Sequence, residues 1–89
     1  MTFEEAAEEI GKLTQEKNDA YGNSFEESAY ILQALYPNGI AIGQMTDALL
    51  IVRVIDKLFR LANHKNAFDE SPWKDIAGYG LCGYVKDKS

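Results

Sequence analysis

The sequence predicts an all-α fold, a small bundle of about four helices that forms a single domain over residues 1–89. The 89 residues are enough for one domain only. Apolar residues recur at steps of three and four along most of the chain, and the segments with this period are bounded by capping or turn-forming residues. Evidence for strands is weak, so a helical bundle is the fold class that we expect.

The first two helices are predicted from their starts and ends. Residues 2–5, Thr-Phe-Glu-Glu, form a capping box for the first helix. This helix should end near Tyr21, because Gly22 can adopt the left-handed conformation that follows a helix. Residues 24–27, Ser-Phe-Glu-Glu, predict a second capping box and a second helix, which Pro37 stops. The apolar stripe of the first helix consists of Phe3, Ala6, Ala7, Ile10 and Leu13.

The third and fourth helices follow a short apolar connector at residues 40–43, whose β-branched residues suit an extended chain. The third helix is the longest and is predicted over residues 46–63. A polar loop at residues 64–70 follows, with Phe68 as its only large apolar residue. A Ser-Pro pair then predicts the start of the fourth helix, over residues 72–85.

The charge balance excludes several classes of partner. Nine Lys+Arg against fourteen Asp+Glu give a net charge of -5, which argues against binding nucleic acid through its phosphates and against adhesion to an anionic membrane. No apolar run is long enough to span a bilayer, and the N-terminus is acidic where a signal peptide is basic. The single cysteine, Cys82, fits a reducing cytoplasm. A domain this small has a marginal core, so we expect a homo-oligomer.

The third helix carries a polar stripe that is rich in positive charge. Arg53, Asp56, Lys57 and Arg60 lie on one side of the helix, opposite its apolar half. Arginine and lysine together can clamp a phosphate or a carboxylate. The alternative is a solvated face of an amphipathic helix.

Two further features are unusual for a helical bundle. Lys17 falls on the apolar stripe of the first helix, so it either extends to the rim of the core or meets an anion there. It also begins a polar, turn-forming segment, residues 17–22, of the kind in which binding groups collect. The fourth helix contains Gly78, Gly80 and Gly83, which suggests close approach by another backbone or a ligand.

A metal site is the weaker interpretation of the acidic residues. Glu5 and Glu8 could hold Mg²⁺ together with water, but they point away from the apolar stripe and also suit a solvated first turn. Asp56 and Asp75 are better candidates for an inward carboxylate pair. We predict no resident metal or cofactor and assign no catalytic residue.

Three strings in the chain are similar to those of one known family. Residues 17–25, 53–61 and 70–79 read KNDAYGNSF, RVIDKLFRL and ESPWKDIAGY. Together they resemble the small, mostly phage-borne helical proteins of the nucleotide-modification-associated domain 1 family. The resemblance implies a nucleotide-type ligand and action in a host cytoplasm. A more distant resemblance is to all-α NTP pyrophosphatases of the MazG and dUTPase kind, which hold Mg²⁺ with paired carboxylates; here Pro72 stands where such a helix would carry a glutamate.

These observations lead to one main hypothesis and two alternatives. The main hypothesis is a nucleotide-binding protein in which lysine and arginine neutralise phosphates, a tyrosine stacks on the base, and aspartates orient the cations, bind ribose hydroxyls or hold a metal. Such a protein could sequester a nucleotide signal of host defence. The alternatives are a Mg²⁺-dependent (d)NTP pyrophosphatase and a module that binds a host protein. The predicted ligand-binding residues are Lys17, Asn18, Tyr21, Arg53, Asp56, Lys57, Arg60, Asp75 and Tyr79.

Overall fold

The computed structural model describes residues 1–66 and 69–89, which form four α-helices and one short 3₁₀ turn and contain no strand. This confirms the predicted all-α class and the number of helices. The predicted role of Phe68 as the apolar residue of the polar loop lies outside the described residues. The elements are α1 (Phe3–Tyr21), α2 (Ser24–Leu35), the 3₁₀ turn (Ile42–Gln44), α3 (Met45–His64) and α4 (Pro72–Asp87).

Helix α3 is the centre of the fold, because it packs against α1, α2 and α4. The buried apolar side chains of the described segments are Ala20, Ala48 and Ile55. Arg60 and Pro72 are fully enclosed as well. The core is therefore small, and α3 contributes most of it.

The predicted ends of α1 are confirmed. The Thr2 hydroxyl accepts a hydrogen bond from the Glu5 amide at 3.1 Å, and the Glu5 carboxylate accepts one from the Thr2 amide at 3.4 Å. These two bonds satisfy donors that a helix start otherwise leaves open. At the other end Gly22 has φ 62°, in the left-handed region. A Cβ at this position would collide with the side chain of Asn63, so glycine is required here by both conformation and space.

The predicted second capping box is wrong. The N-cap of α2 is Asn23, with φ 65°, and its side chain makes no capping bond within the described chain. Ser24 is already helical and buried. Because Gly22 and Asn23 are both left-handed, the chain reverses within two residues and the next helix begins earlier than the Ser-x-x-Glu pattern indicates. The Asn23 side-chain Nδ2 instead donates to the Glu26 carboxylate at 3.1 Å.

The connector before α3 is only partly extended. Ala41 has an extended backbone, whereas residues 42–44 form the 3₁₀ turn that runs into α3. The Gln44 side chain accepts a hydrogen bond from the Ala41 amide at 3.0 Å, which fixes this turn. Ser71 is the N-cap of α4, as predicted, although its side chain bonds none of the described amides there. Among the helices that the structure describes, none is long and apolar enough to cross a membrane.

Candidate functional site

An open groove of about 660 Å³ lies between the second half of α1, the start of α2 and the middle of α3. Four of the predicted ligand-binding residues line it: Lys17, Asn18, Tyr21 and Asp56. The sequence places the first three on one face of α1, and α3 adds the fourth from across the groove. The other lining residues are Gly11, Thr14, Gln15, Ser24 and Phe25.

The tight turn between α1 and α2 makes the second wall of the groove. It brings Ser24 and Phe25 next to the last turn of α1. Ser24 is buried, whereas the Phe25 ring is 89% exposed. The sequence did not indicate Phe25 as a lining residue, because it reads as one of the apolar residues that recur at steps of three and four along α2. The one indication in the sequence was that Phe25 ends the string of residues 17–25, which carries the family resemblance.

Lys57 connects three helices beside the groove. Its Nζ lies 3.2 Å from Asp75 Oδ2 on α4 and 5.8 Å from the centre of the Tyr21 ring on α1. Burial disfavours the charged ammonium, but the hydrogen bond to Asp75 and the interactions with Tyr21 outweigh it and hold the pKa of Lys57 above its ordinary value of 10.5. Lys57 is thus charged at neutral pH and already has an anionic partner.

Arg53 and Tyr79 form a separate pair on the α3–α4 side. The guanidinium carbon lies 5.8 Å from the ring centre, within the range of a cation–π interaction. Neither residue is among those that line the groove. The structure therefore brings these two predicted residues together, but in a different place from Lys17 and Asp56.

Arg60 is in the interior rather than at a ligand surface. Its side chain is fully buried, donates a hydrogen bond to the backbone carbonyl of Glu70, and lies 3.5 Å from the Glu70 carboxylate. The guanidinium joins α3 to the segment that leads into α4. This geometry gives Arg60 a structural role, and its predicted contact with a phosphate stays a prediction.

The polar stripe of α3 is thus neither a solvated face nor one continuous anion clamp. Lys57 and Arg60 are turned into the protein and paired with acids that precede or belong to α4. Asp56 faces the groove, and Arg53 is exposed. Within the stripe, Lys57 and Arg60 therefore support the fold, whereas Asp56 forms part of the groove wall.

The acidic residues are also separated. Asp56 lines the groove and Asp75 binds Lys57, while Glu5 is occupied by the capping box of α1. Within residues 1–66 and 69–89 no group of three or more His, Cys, Asp or Glu side chains is placed to hold a metal ion.

The glycines of α4 are not in close contact with another backbone. A Cβ on Gly78 or Gly80 would meet no described atom within 4 Å, and one on Gly83 would lie 3.6 Å from the Leu50 side chain. The close approach that the three glycines suggested is therefore not found within the described chain.

Comparison of the chain with protein-family models, with curated proteins and with solved structures finds no match in any of the three. The family resemblance of the three strings stays a prediction.

Proposed function

We propose that the groove binds a small molecule of nucleotide type, with the Lys17 ammonium at its phosphate and the rings of Tyr21 and Phe25 beside its base. The observation that carries this proposal is the convergence of Lys17, Asn18 and Asp56 in one groove. Small-molecule sites are commonly concave, of roughly 300–1,000 Å³, and largely apolar with a few convergent polar groups. The groove, at about 660 Å³, fits that description.

The charges in the groove favour a ligand that carries few phosphates. Among the described residues that line it, Lys17 is the one cation and Asp56 the one anion, while the nearby Lys57 is paired with Asp75. A triphosphate would bring several negative charges to a nearly neutral groove in a chain of net charge -5. A monophosphate or a phosphodiester matches a single lysine better.

The remaining polar groups suit the rest of a nucleotide. The Asp56 carboxylate can accept hydrogen bonds from a base amino group or from ribose hydroxyls, and the Asn18 amide can both donate and accept. Aromatic rings stack on any base, and the exposed Phe25 ring can do so at the cost of little reorganisation. The protein in this proposal acts by holding its ligand, which is what sequestering a nucleotide signal of host defence requires.

The test compares two lysines of α1 that differ in position only. Wild type, Lys17→Met and Lys12→Met are titrated by calorimetry with nucleoside monophosphates, ATP, a 3′,5′-cyclic mononucleotide and a cyclic dinucleotide. Lys12 is exposed on α1 and does not line the groove.

We expect a monophosphate or phosphodiester to bind more tightly than ATP. Lys17→Met should weaken that binding by roughly 10- to 100-fold, the value of one charge-assisted hydrogen bond. Lys12→Met should stay within about twofold, since a distant exposed charge contributes little. A folded wild type that binds none of these nucleotides, or two variants that lose affinity equally, would overturn the proposal.

A further inference from the structure

The first turns of α1 lack a packing partner within the described chain. On the apolar stripe of this helix Phe3 is 96% exposed, Ile10 63% and Leu13 51%. The one side chain that α1 buries is Ala20, near its far end. Helix α1 is thus anchored on α3 by its last turns, while the earlier turns carry an uncovered apolar face.

A helix in this situation needs support from outside. Most helical stability in proteins comes from packing of an apolar face, and short isolated helices are marginal in water. Gly11 in the middle of α1 lowers its intrinsic helix propensity further. The capping box at Thr2 holds only the first turn.

The dimensions of the whole molecule also show that the chain is less compact than is typical of a monomer of its size. Its radius of gyration is 15.7 Å, whereas a compact domain of this length has about 12 Å. Its accessible surface is 6,897 Å², about 1,700 Å² more than the roughly 5,200 Å² typical of a monomer of this mass. Standard complexes bury about 800 Å² per partner and obligate homodimers more, so the excess is what an obligate interface would cover.

We infer that the apolar stripe of α1, formed by Phe3, Ala6, Ala7, Ile10 and Leu13, docks on a second copy of this chain. A second copy is the partner that is present whenever the chain folds, as so small a core requires. The stripe is also the part of α1 on which two acidic chains can approach each other, because the glutamates project to the other side of the helix. They are Glu4, Glu5, Glu8, Glu9 and Glu16.

Association at this stripe would affect the groove. Gly11 and Thr14 line it and are sequence neighbours of Ile10 and Leu13. A second copy seated on the stripe would therefore lie beside the groove. This consequence, unlike the association itself, rests on the proposed function.

The association is tested by sedimentation velocity in the absence of nucleotide, from about 1 to about 200 µM protomer. The double variant Ile10→Asp/Leu13→Asp places two carboxylates on the stripe. Lys12→Glu, on the opposite face of α1, makes the same change in net charge. We expect wild type and Lys12→Glu to form a dimer or a larger oligomer and the double variant to associate about 100-fold more weakly, since charges in an apolar interface are costly.

Hydrogen exchange of the wild type provides a second measurement that needs no folded variant. The amides of residues 6–16 should be protected at protomer concentrations where sedimentation shows the oligomer, and less protected where it dissociates. A helical wild type that stays monomeric at 200 µM would overturn the inference, as would a double variant that associates like wild type or amides of residues 6–16 that are unprotected in an oligomeric sample. No nucleotide is present in either experiment, so failure of the proposed ligand site gives a different result from failure of the association.

Discussion

Replacement of Arg60 by alanine should lower the free energy of unfolding by about 2–4 kcal/mol. Arg60 is fully buried and binds the Glu70 carbonyl just before α4 begins. The variant loses both this clamp and the packing of the long side chain.

The magnitude follows from three contributions. A hydrogen bond from a charged donor contributes about 1.5–3 kcal/mol. Truncation of the buried aliphatic stem costs about 1–2 kcal/mol more. Glu70 is an exposed residue, so water can reach its carbonyl after the change and recover part of the loss. The ion pair with the Glu70 carboxylate adds less than about 1 kcal/mol because that side chain is 64% exposed.

The assay is urea unfolding followed by circular dichroism at one fixed protomer concentration, since self-association would make the midpoint depend on concentration. For a domain of this size the loss corresponds to a decrease in Tm of about 10–25 °C. Arg53→Ala, an exposed arginine of the same helix, is the matched control and should change stability by less than about 1 kcal/mol. Glu70→Gln should be equally mild, because the bond to the backbone carbonyl remains. The reasoning is refuted if Arg60→Ala is no less stable than Arg53→Ala.

Three further substitutions test other parts of the structure. Gly22→Ala should destabilise the fold by about 1–3 kcal/mol, because φ is positive and the methyl group would collide with Asn63. Gly80→Ala, in open space within α4, should stabilise it by up to about 1 kcal/mol. Thermal unfolding measures both, and changes in Tm of the same sign would contradict these expectations. Asp75→Asn should lower Tm by an amount that is constant from pH 7 to about pH 10 and shrinks at higher pH. The raised pKa of Lys57 stabilises the fold at pH values below the ordinary pKa of a lysine, and this contribution is lost as pH rises through the pKa of Lys57 in the folded state. A difference in Tm that already disappears between pH 7 and pH 9 would show that Lys57 is not the group responsible.

The helix ends were predictable where the signal is local. Thr2 and Gly22 act within a few residues of themselves, so the start and end of α1 are where the sequence predicts them. The start of α2 was missed because two successive left-handed residues at the turn displace the cap to Asn23. A capping pattern alone does not indicate the backbone conformation of the turn that precedes it.

The contacts of the polar stripe of α3 could not be predicted, since its partners are distant in sequence. Glu70 and Asp75 precede or lie in α4, and their approach depends on how α4 packs on α3. Periodicity identifies the sides of a helix but not what covers them. For the same reason Ile10 and Leu13 could be assigned to an apolar stripe from their spacing, whereas their exposure in the folded chain could not be predicted.

The groove was predictable in part. Lys17, Asn18 and Tyr21 come from a single polar turn-forming segment, which the sequence singles out. Asp56 belongs to α3, and its position across the groove required the packing of α1 on α3.

The proposed ligand site is tested most directly by a ¹H–¹⁵N correlation titration of the wild-type protein with a nucleoside monophosphate. We expect saturable shifts at the amides of Lys17, Asn18, Tyr21 and Asp56, and none of comparable size around Arg53 and Tyr79. Shifts confined to the α3–α4 side, or a spectrum that does not change in a folded sample, would contradict it.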